Sequence, residues 1–229
     1  MAKFILVRHG ESVWKSEQRL QGNLDPELSP RGRRQAELLA SHLKIHLPRS
    51  VAAIYASPLR RAAQTAEEIG RAFRLPVIQD RDLREMSLGL WEGKTVEQIQ
   101  ASAPGHYEQW MEDPLAHPVP GGEDLRAFER RVVGALERMQ SAHPGMNLIV
   151  VSHGGVIRAI LCFALGLDIR HLFRLKQNSA AVSQIRLDGE ARQVLLVNDT
   201  CHLGPDFSPQ RSPRSQSQTT GPQDHETTF

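Results

Sequence analysis

Two histidines and a pair of arginines follow short apolar segments at three separate places in the chain. Arg8 and His9 come directly after the first segment, Arg60 after the second, and His153 after a later one, with Gly154 beside it. Because the carboxyl ends of parallel strands meet at one edge of an α/β sheet, we expect these side chains to share a crevice there. Guanidinium groups, imidazoles and free N–H groups at a helix start suit a tetrahedral anion such as phosphate.

Each of these signals is weak alone and has a structural alternative. A single histidine at a strand end is more often a hydrogen-bonded structural residue than a catalyst. The helix dipole disfavours a cation in the first turn of a helix. Arg60 and Arg61 at such a place therefore indicate either a bound anion or side chains that point to water. We assign Arg60 to the anion site and expect Arg61 to face water.

The chemistry expected of such a crevice is phosphoryl transfer. The sequence has no GxxxxGK[ST] phosphate loop and no persuasive metal-binding cluster, so the arginines would have to neutralise the phosphoryl group. His9 is then the natural covalent nucleophile, since no Cys or Ser stands in a recognisable nucleophile setting. Glu85, between the apolar Leu83 and Met86, is the best candidate for the acid; its alternative is an exposed loop carboxylate.

Alternating strand-like and helix-like patterns predict how these residues are positioned. Short apolar runs predict five strands, at residues 3–7, 51–56, 147–152, 181–187 and 193–197, the last two as a hairpin. Helical periodicity predicts three long helices, at residues 35–47, 59–73 and 123–143. Ser29 and Ser57, each followed by proline, read as helix starts, and Thr95 begins a capping box. The pattern favours one α/β domain with a mostly parallel sheet.

Composition places the chain among ordinary globular proteins. It has 229 residues, of which 40% are hydrophobic and 24% charged, enough for a buried core in one or two domains. A net charge of +2 is too small to drive binding to nucleic acid or to an acidic membrane. Two cysteines do not make a disulfide framework, and no apolar stretch suits a signal peptide or a membrane span. We therefore expect a soluble, cytoplasmic protein.

The last 26 residues differ sharply from the rest. Residues 204–229 contain four each of Pro, Ser, Gln and Thr and no Leu, Ile or Val. Such a segment buries too little apolar area to offset the entropy lost on ordering. We therefore predict a folded catalytic domain at residues 1–203 and a disordered tail at 204–229. The alternative for the tail is a peptide that a partner binds.

A series of motifs extends over the whole predicted domain. In order they are RHGES at 8–12, QG at 21–22, LSPRGRRQA at 28–36, SPLRRAAQTA at 57–66, LRE at 83–85, GLWEG at 89–93, PGGE at 120–123 and VSHGG at 151–155. This series resembles the histidine phosphatase superfamily, whose fold is phosphoglycerate-mutase-like. The resemblance implies a three-layer α/β/α sandwich whose mostly parallel sheet has an antiparallel edge strand.

The resemblance also implies a role for each candidate site residue. His9 would become phosphohistidine, and Glu85 would protonate the leaving group and then activate the hydrolytic water. The phosphoryl oxygens would be bound by Arg8, Arg60, His153 and the Gly154 N–H. The mouth of the pocket would be lined by Gln21 and Gly22. No metal or other cofactor is implied.

Lys15 departs from the family pattern, because many relatives carry Asn at this position, where it touches the phosphate. A lysine either contacts the phosphoryl group as a point charge or favours a substrate that carries a second anionic group. Both interpretations are left open.

The segment that follows Glu85 is compact and resembles the phosphatase branch, such as α-ribazole-phosphate phosphatases and broad-specificity phosphatases. The resemblance therefore implies hydrolysis of a small phosphorylated metabolite, and the small net charge argues against a nucleic-acid or membrane partner. Two alternatives remain: phosphoryl transfer of the mutase type, and a module that binds a phosphorylated ligand without catalysis. Whether the chain forms a homodimer is left open.

Overall fold

The computed structural model describes residues 2–47, 51–188, 191–204 and 207. Its strands form one sheet in the spatial order β3-β2-β4-β1-β5-β6. They are β1 (Ala2–Arg8), β2 (Val51–Ala56), β3 (Val77–Gln79), β4 (Asn147–Ser152), β5 (Val182–Asp188) and β6 (Ala191–Asp199). The first four strands are parallel to one another, whereas β5 runs antiparallel to β1 and β6 antiparallel to β5. The mostly parallel sheet is confirmed, and its antiparallel part is a two-stranded hairpin at one edge.

Helices cover both faces of this sheet. They are α1 (Val13–Ser16), α2 (Pro30–His46), α3 (Arg60–Phe73), α4 (Val96–Ser102), α5 (His106–Glu112), α6 (Leu125–Ala142) and α7 (Gly154–Leu165). Two separate apolar clusters fill the space between the layers. One joins the sheet to α6 and α7, and the other joins it to α2 and α3. The three-layer α/β/α sandwich is therefore confirmed.

The strand pattern explains why the sheet is covered on both sides. Successive side chains of a strand point to opposite faces. Phe4 and Leu6 of β1 pack in the cluster with α6 and α7, while Ile5 and Val7 pack in the cluster with α2 and α3. All four are fully buried. An apolar run without alternation is the expected signature of such a strand.

Some local predictions need correction. Ser57 does not cap α3, which begins at Arg60 after an N-cap, Leu59, that has no side-chain hydrogen bond. The capping roles of Ser29 and Thr95 are confirmed, because their side chains accept N–H groups from the first turns of α2 and α4. The short elements β3 and α5 were not predicted.

Some predictions lie wholly or partly outside the described residues. The tail beyond residue 207 and the hairpin turn at 189–190 are among them, so the domain boundary stays a prediction. No helix within the described ranges has the length and apolar character needed to cross a membrane. The cytoplasmic location also stays a prediction.

Candidate active site

His9 and His153 follow the paired ends of two neighbouring parallel strands. Arg8, the last residue of β1, lies opposite Ser152, the last residue of β4, and the His9 N–H donates to the Ser152 carbonyl at 2.9 Å. The two imidazole rings meet edge to face with their centroids 5.1 Å apart. Both side chains are buried. The sheet register therefore assembles the pair that the sequence places 144 positions apart.

Hydrogen bonds define what each ring can do. His9 Nδ1 lies 2.6 Å from the Gly10 carbonyl oxygen, so Nδ1 must donate and the neutral ring carries its lone pair on Nε2. His153 Nε2 lies 2.8 Å from Ser57 Oγ. The Ser57 hydroxyl already accepts the Leu59 N–H and can donate its own proton to Nε2. In that tautomer the ring proton of His153 is on Nδ1.

Burial and positive charge keep both imidazoles neutral. Burial lowers the pKa of His9 well below 6.5, and the charges of Arg61 and Arg8 lower it further. Burial also lowers the pKa of His153 well below 6.5, followed by the charge of Arg61. His9 therefore presents an unprotonated Nε2 at neutral pH, as a nucleophile requires.

Arg61, and not Arg60, is the arginine that α3 brings to the site. Arg61 is 1% exposed, and its two terminal nitrogens donate to the carbonyl oxygens of Leu24 and Gly22 at 2.7 and 2.8 Å. The Arg60 side chain is 58% exposed and pairs with Glu27. The prediction that Arg60 binds the phosphoryl group and Arg61 faces water is therefore wrong.

Helical geometry explains this reversal. Arg61, Thr65 and Ile69 are spaced by four residues and share the buried face of α3, whereas Arg60 lies one position round the helix. Thr65 Oγ1 accepts the Gly10 N–H at 3.1 Å and donates to the Arg61 carbonyl at 2.8 Å. This bond ties the His9 loop to the turn that carries Arg61. The apolar periodicity of α3 was a usable signal for choosing between the two arginines.

A cavity of about 230 Å³ opens at this edge of the sheet. Six of the predicted site residues line it: Arg8, His9, Lys15, Gln21, Gly22 and Glu85. His153 packs against His9, and Gly154 begins α7 beside the Arg8 guanidinium. Arg60 is the predicted site residue that the structure does not bring to this place.

Three buried polar atoms around His9 are left without a partner. Arg8 uses Nη1 to donate to the Gln177 carbonyl at 2.5 Å, while its Nε has no hydrogen-bond partner in the described structure. The same holds for Arg61 Nε and His153 Nδ1. Burial lowers the pKa of both arginines to about 10, so they stay charged at neutral pH. Buried donors without acceptors are costly, and a bound anion would satisfy them.

Glu85 is held by the backbone at the side of the cavity. Its Oε1 accepts the Met86 N–H and its Oε2 accepts the Gly155 N–H, each at 3.0 Å. A Cβ at position 155 would collide with Glu85 Oε1 and push the carboxylate out of this position, so glycine lets Glu85 approach the start of α7. The second glycine after His153 therefore receives the predicted acid, a contact that the sequence did not reveal.

Arg131 braces the loop that carries Glu85. From α6 it donates to the carbonyl oxygens of Asp82, Arg84 and Glu85 at 2.7, 2.8 and 3.1 Å. It also pairs with both carboxylate oxygens of Glu123, at 2.7 and 2.8 Å. Its side chain is 16% exposed. One guanidinium therefore fixes the backbone on which the candidate acid stands.

The other side of the cavity is apolar and was not predicted. Tyr107 and Trp110 come from α5, and Phe173 follows α7; its ring meets that of Trp110 at 4.5 Å between centroids. Arg158 of α7 also lines the cavity, four residues after Gly154. The i, i+4 spacing from Gly154 could have pointed to Arg158. The cavity residues of α5 were hard to predict, because a helix of seven residues shows little periodicity.

Within the described residues, no group of three or more His, Cys, Asp or Glu side chains is arranged to hold a metal ion. The positive charge in the described part of the cavity wall comes from arginine and lysine.

The fold and this arrangement define an α/β enzyme that acts on phosphorylated substrates. The chain belongs to the histidine phosphatase superfamily (branch 1), whose family model matches residues 4–200. It is a histidine phosphatase, as the motif series implied.

Three phosphatase-named proteins are similar to this chain over nearly their whole length. Phosphoserine phosphatase 1 of Hydrogenobacter thermophilus is 40% identical over 205 residues, which cover 89% of this chain and 95% of that protein. A mycobacterial glucosyl-3-phosphoglycerate phosphatase, solved in complex with VO3, superposes with a TM-score of 0.80 at 32% identity, covering 86% of this chain and 99% of its own. An Escherichia coli K-12 protein whose suggested activity is α-ribazole-5′-phosphate phosphatase gives 0.77 at 26%, covering 86% and 96%.

Neighbouring arginines on α3 give a matched pair of variants. We expect Arg61→Gln to lower kcat/KM for a phosphomonoester about 10²- to 10³-fold, as the loss of one preorganised donor does. Arg60→Gln removes the same charge from the exposed side of the turn and should cost less than about threefold. Steady-state kinetics measure both, with circular dichroism confirming that each variant is folded. Equal losses in the two variants would contradict the assignment of Arg61.

Arg131→Gln should lower activity by displacing Glu85. A misplaced acid affects esters with poor leaving groups most, so we expect a loss of about 10-fold or more on an alkyl phosphate and a smaller one on p-nitrophenyl phosphate. Arg138→Gln is the control, because Arg138 lies on the same helix and binds Asp80 and Asp82 from the exposed side. A uniform loss on both esters would mean that Arg131 only stabilises the fold.

Acid should destabilise the protein through its buried histidines. The unfolded chain protonates His9 and His153 near pH 6.5, whereas the folded protein resists protonation, so the free energy of unfolding falls as the pH drops below 6.5. Each histidine contributes about 1 kcal/mol between pH 7.5 and 5.5. Urea unfolding at the two pH values measures this difference, which should be about 1 kcal/mol smaller in His153→Gln. An unchanged difference would show that His153 is not held neutral.

Proposed function

We propose that this histidine phosphatase hydrolyses small phosphomonoesters without a metal ion, through a phosphohistidine formed on His9 Nε2. The observation that carries the proposal is a group of unpartnered buried atoms on three residues that act on or pack against His9: Arg8 Nε, Arg61 Nε and His153 Nδ1. Relatives named for phosphoserine and glucosyl-3-phosphoglycerate support a small phosphorylated substrate.

The first chemical step transfers the phosphoryl group to the enzyme. His9 Nε2 forms a bond to phosphorus while the bond from phosphorus to the ester oxygen breaks, and the Glu85 carboxyl group gives its proton to that oxygen. The guanidinium groups of Arg8 and Arg61, with His153 and the Gly154 N–H at the start of α7, hold the equatorial oxygens. Arg61 takes the role that the sequence assigned to Arg60.

The second step returns the enzyme to its starting state. A water molecule attacks the phosphorus of phosphohistidine, and the Glu85 carboxylate accepts the proton that this water loses. The phosphorus–nitrogen bond breaks, which releases inorganic phosphate and neutral His9. Because burial and two guanidinium charges disfavour protonated His9, the imidazole is ready for the next substrate.

Hydrolysis is favoured over the mutase alternative by the short path from Glu85 to α4. In the described structure a single 3₁₀ turn, Gly89–Trp91, separates the acid from this helix. The aromatic residues of α5 leave the cavity open for a small organic group. The catalytic unit in this proposal is residues 1–203.

His9→Ala should abolish turnover of p-nitrophenyl phosphate in the presence of EDTA and of Mg²⁺ alike, because no other group takes the phosphoryl. The wild-type protein mixed with substrate and quenched in alkali should carry an acid-labile phosphate that His9→Ala lacks. Full activity of His9→Ala would refute the assignment of His9 as the nucleophile. Loss of wild-type activity in EDTA would refute the metal-free mechanism. Interconversion of phosphoglycerates at a rate above phosphate release would instead identify a mutase.

A further inference from the structure

Apart from Arg19, which pairs with Glu17, two cations of the cavity take no part in the steps proposed at His9. Lys15 stands at the mouth on α1, a short helix whose N-cap Ser12 accepts the Lys15 N–H at 3.2 Å. Arg158 lies on α7, where its Nε donates to the Leu175 carbonyl at 2.7 Å and its guanidinium carbon lies 5.6 Å from the centroid of the Phe173 ring. Both side chains line the same cavity as His9.

Neither cation forms a direct ion pair within the part of the protein that the structure describes, although Glu85 attracts Arg158 and Glu11 attracts Lys15. Lys15 Nζ and the two terminal nitrogens of Arg158 have no ion pair or hydrogen bond among the described residues. Glu11 approaches Lys15, but its carboxylate contacts Ser29 and Arg31. Partial burial and the charges of Arg8 and Arg158 lower the pKa of Lys15, so these cations act on one another across the cavity.

The charges of the lining residues exceed what a phosphoryl group balances. Five cationic side chains line the cavity, but Arg19 is paired with Glu17, which lies outside the lining, at 2.7 Å. The other four, Arg8, Arg61, Lys15 and Arg158, supply four positive charges, and Glu85 is the one acidic residue among the described lining residues. A dianionic phosphoryl group beside ionised Glu85 leaves one positive charge over, and beside protonated Glu85 it leaves two. Unbalanced charge in a partly dry cavity favours a ligand with a further negative group.

We propose that Lys15 and Arg158 form a subsite for a carboxylate on the organic half of the substrate. This inference rests on the proposed phosphatase chemistry at His9 and adds the substrate class: phosphomonoesters of small hydroxy acids. The free end of the Arg158 guanidinium presents two N–H groups in a plane, which matches a carboxylate, and Lys15 adds a mobile point charge.

An amino group on the substrate is not part of this requirement. Glu85 is the one acidic residue among the described lining residues, and the proposed proton transfer at the ester oxygen uses it, so no second carboxylate there is left for an ammonium ion. The apolar wall of Tyr107, Trp110 and Phe173 contacts the carbon skeleton instead. The subsite therefore selects for the carboxylate whether or not an amine accompanies it.

Two matched pairs of substrates test the subsite. O-phosphoserine is compared with O-phosphoethanolamine, which lacks only the carboxylate, and 3-phosphoglycerate is compared with glycerol 3-phosphate. We expect the wild-type protein to prefer the acid in both pairs by about 10- to 100-fold in kcat/KM, the range for a hydrogen-bonded charge pair. A ratio near one in both pairs would overturn the subsite.

Variants identify the residues responsible. Lys15→Asn and Arg158→Gln should each reduce the ratio of acid to matched ester by about 10-fold, chiefly through a higher KM for the acid. Arg158→Lys, which keeps the charge but loses the planar fork, should retain part of the preference. Lys94→Gln is the control, because it removes an exposed lysine that lies outside the cavity lining and should leave the ratio unchanged.

The outcomes separate this inference from the proposed function. If Lys15→Asn and Arg158→Gln lower kcat/KM by one common factor for all four esters, the two residues serve the phosphoryl group or the fold, and the carboxylate subsite is wrong. Lys15 is on an exposed turn, so its variant stays informative if Arg158→Gln fails to fold. A folded wild-type protein that hydrolyses none of the esters and forms no phosphohistidine would refute the proposed function itself.

Discussion

Positive charge held out of water beside a neutral imidazole is the constraint on which the rest of the site depends. Burying a guanidinium group costs several kcal/mol unless hydrogen bonds compensate it. The chain supplies these bonds from backbone carbonyls: Gly22 and Leu24 for Arg61, and Gln177 for Arg8. The contacts that make the charges tolerable therefore also hold the loops that form the cavity. Gly22 shows how closely the parts are fitted, since its φ is +50° and a Cβ there would collide with Glu92.

The same buried charges serve both partners of the reaction. They disfavour a proton on His9, which leaves Nε2 unprotonated, and in the proposed mechanism they attract the dianion that His9 would attack. An anion that enters the site receives donors that are already oriented, because Thr65 joins the His9 loop to α3 and the sheet register joins it to His153. Little reorganisation is needed when charge moves during the reaction, which is the condition under which electrostatic stabilisation is most effective.

The sequence was sufficient for the parts of this arrangement that depend on local pattern. Apolar runs located the main strands, and residues that follow parallel strands converge, so His9 and His153 could be predicted to meet. The sequence argument assigned the anion site to Arg60 and not to Arg61, because it located the start of the helix but did not work out which side of the helix is buried. The Glu85 brace could not be foreseen, since Arg131 is 46 positions away and the contact exists only after α6 packs on the loop. Short elements such as β3 and α5 carry too few residues for a periodic signal.

The cavity divides into two parts that differ in how firmly their side chains are held. Arg8, Arg61 and Glu85 are each tied to backbone atoms from distant segments, and the His9 ring is fixed by the neighbouring Gly10 carbonyl, so the candidate catalytic groups depend on the folded core. Lys15 lies on α1, a helix of four residues, and Tyr107 lies on α5, a helix of seven residues in the outer part of the cavity. Residues on such short elements can change without breaking the contacts that neutralise the buried arginines. In the proposed mechanism substrate choice is therefore structurally separable from phosphoryl transfer, and the charges of Lys15 and Arg158 would set this chain's own selectivity.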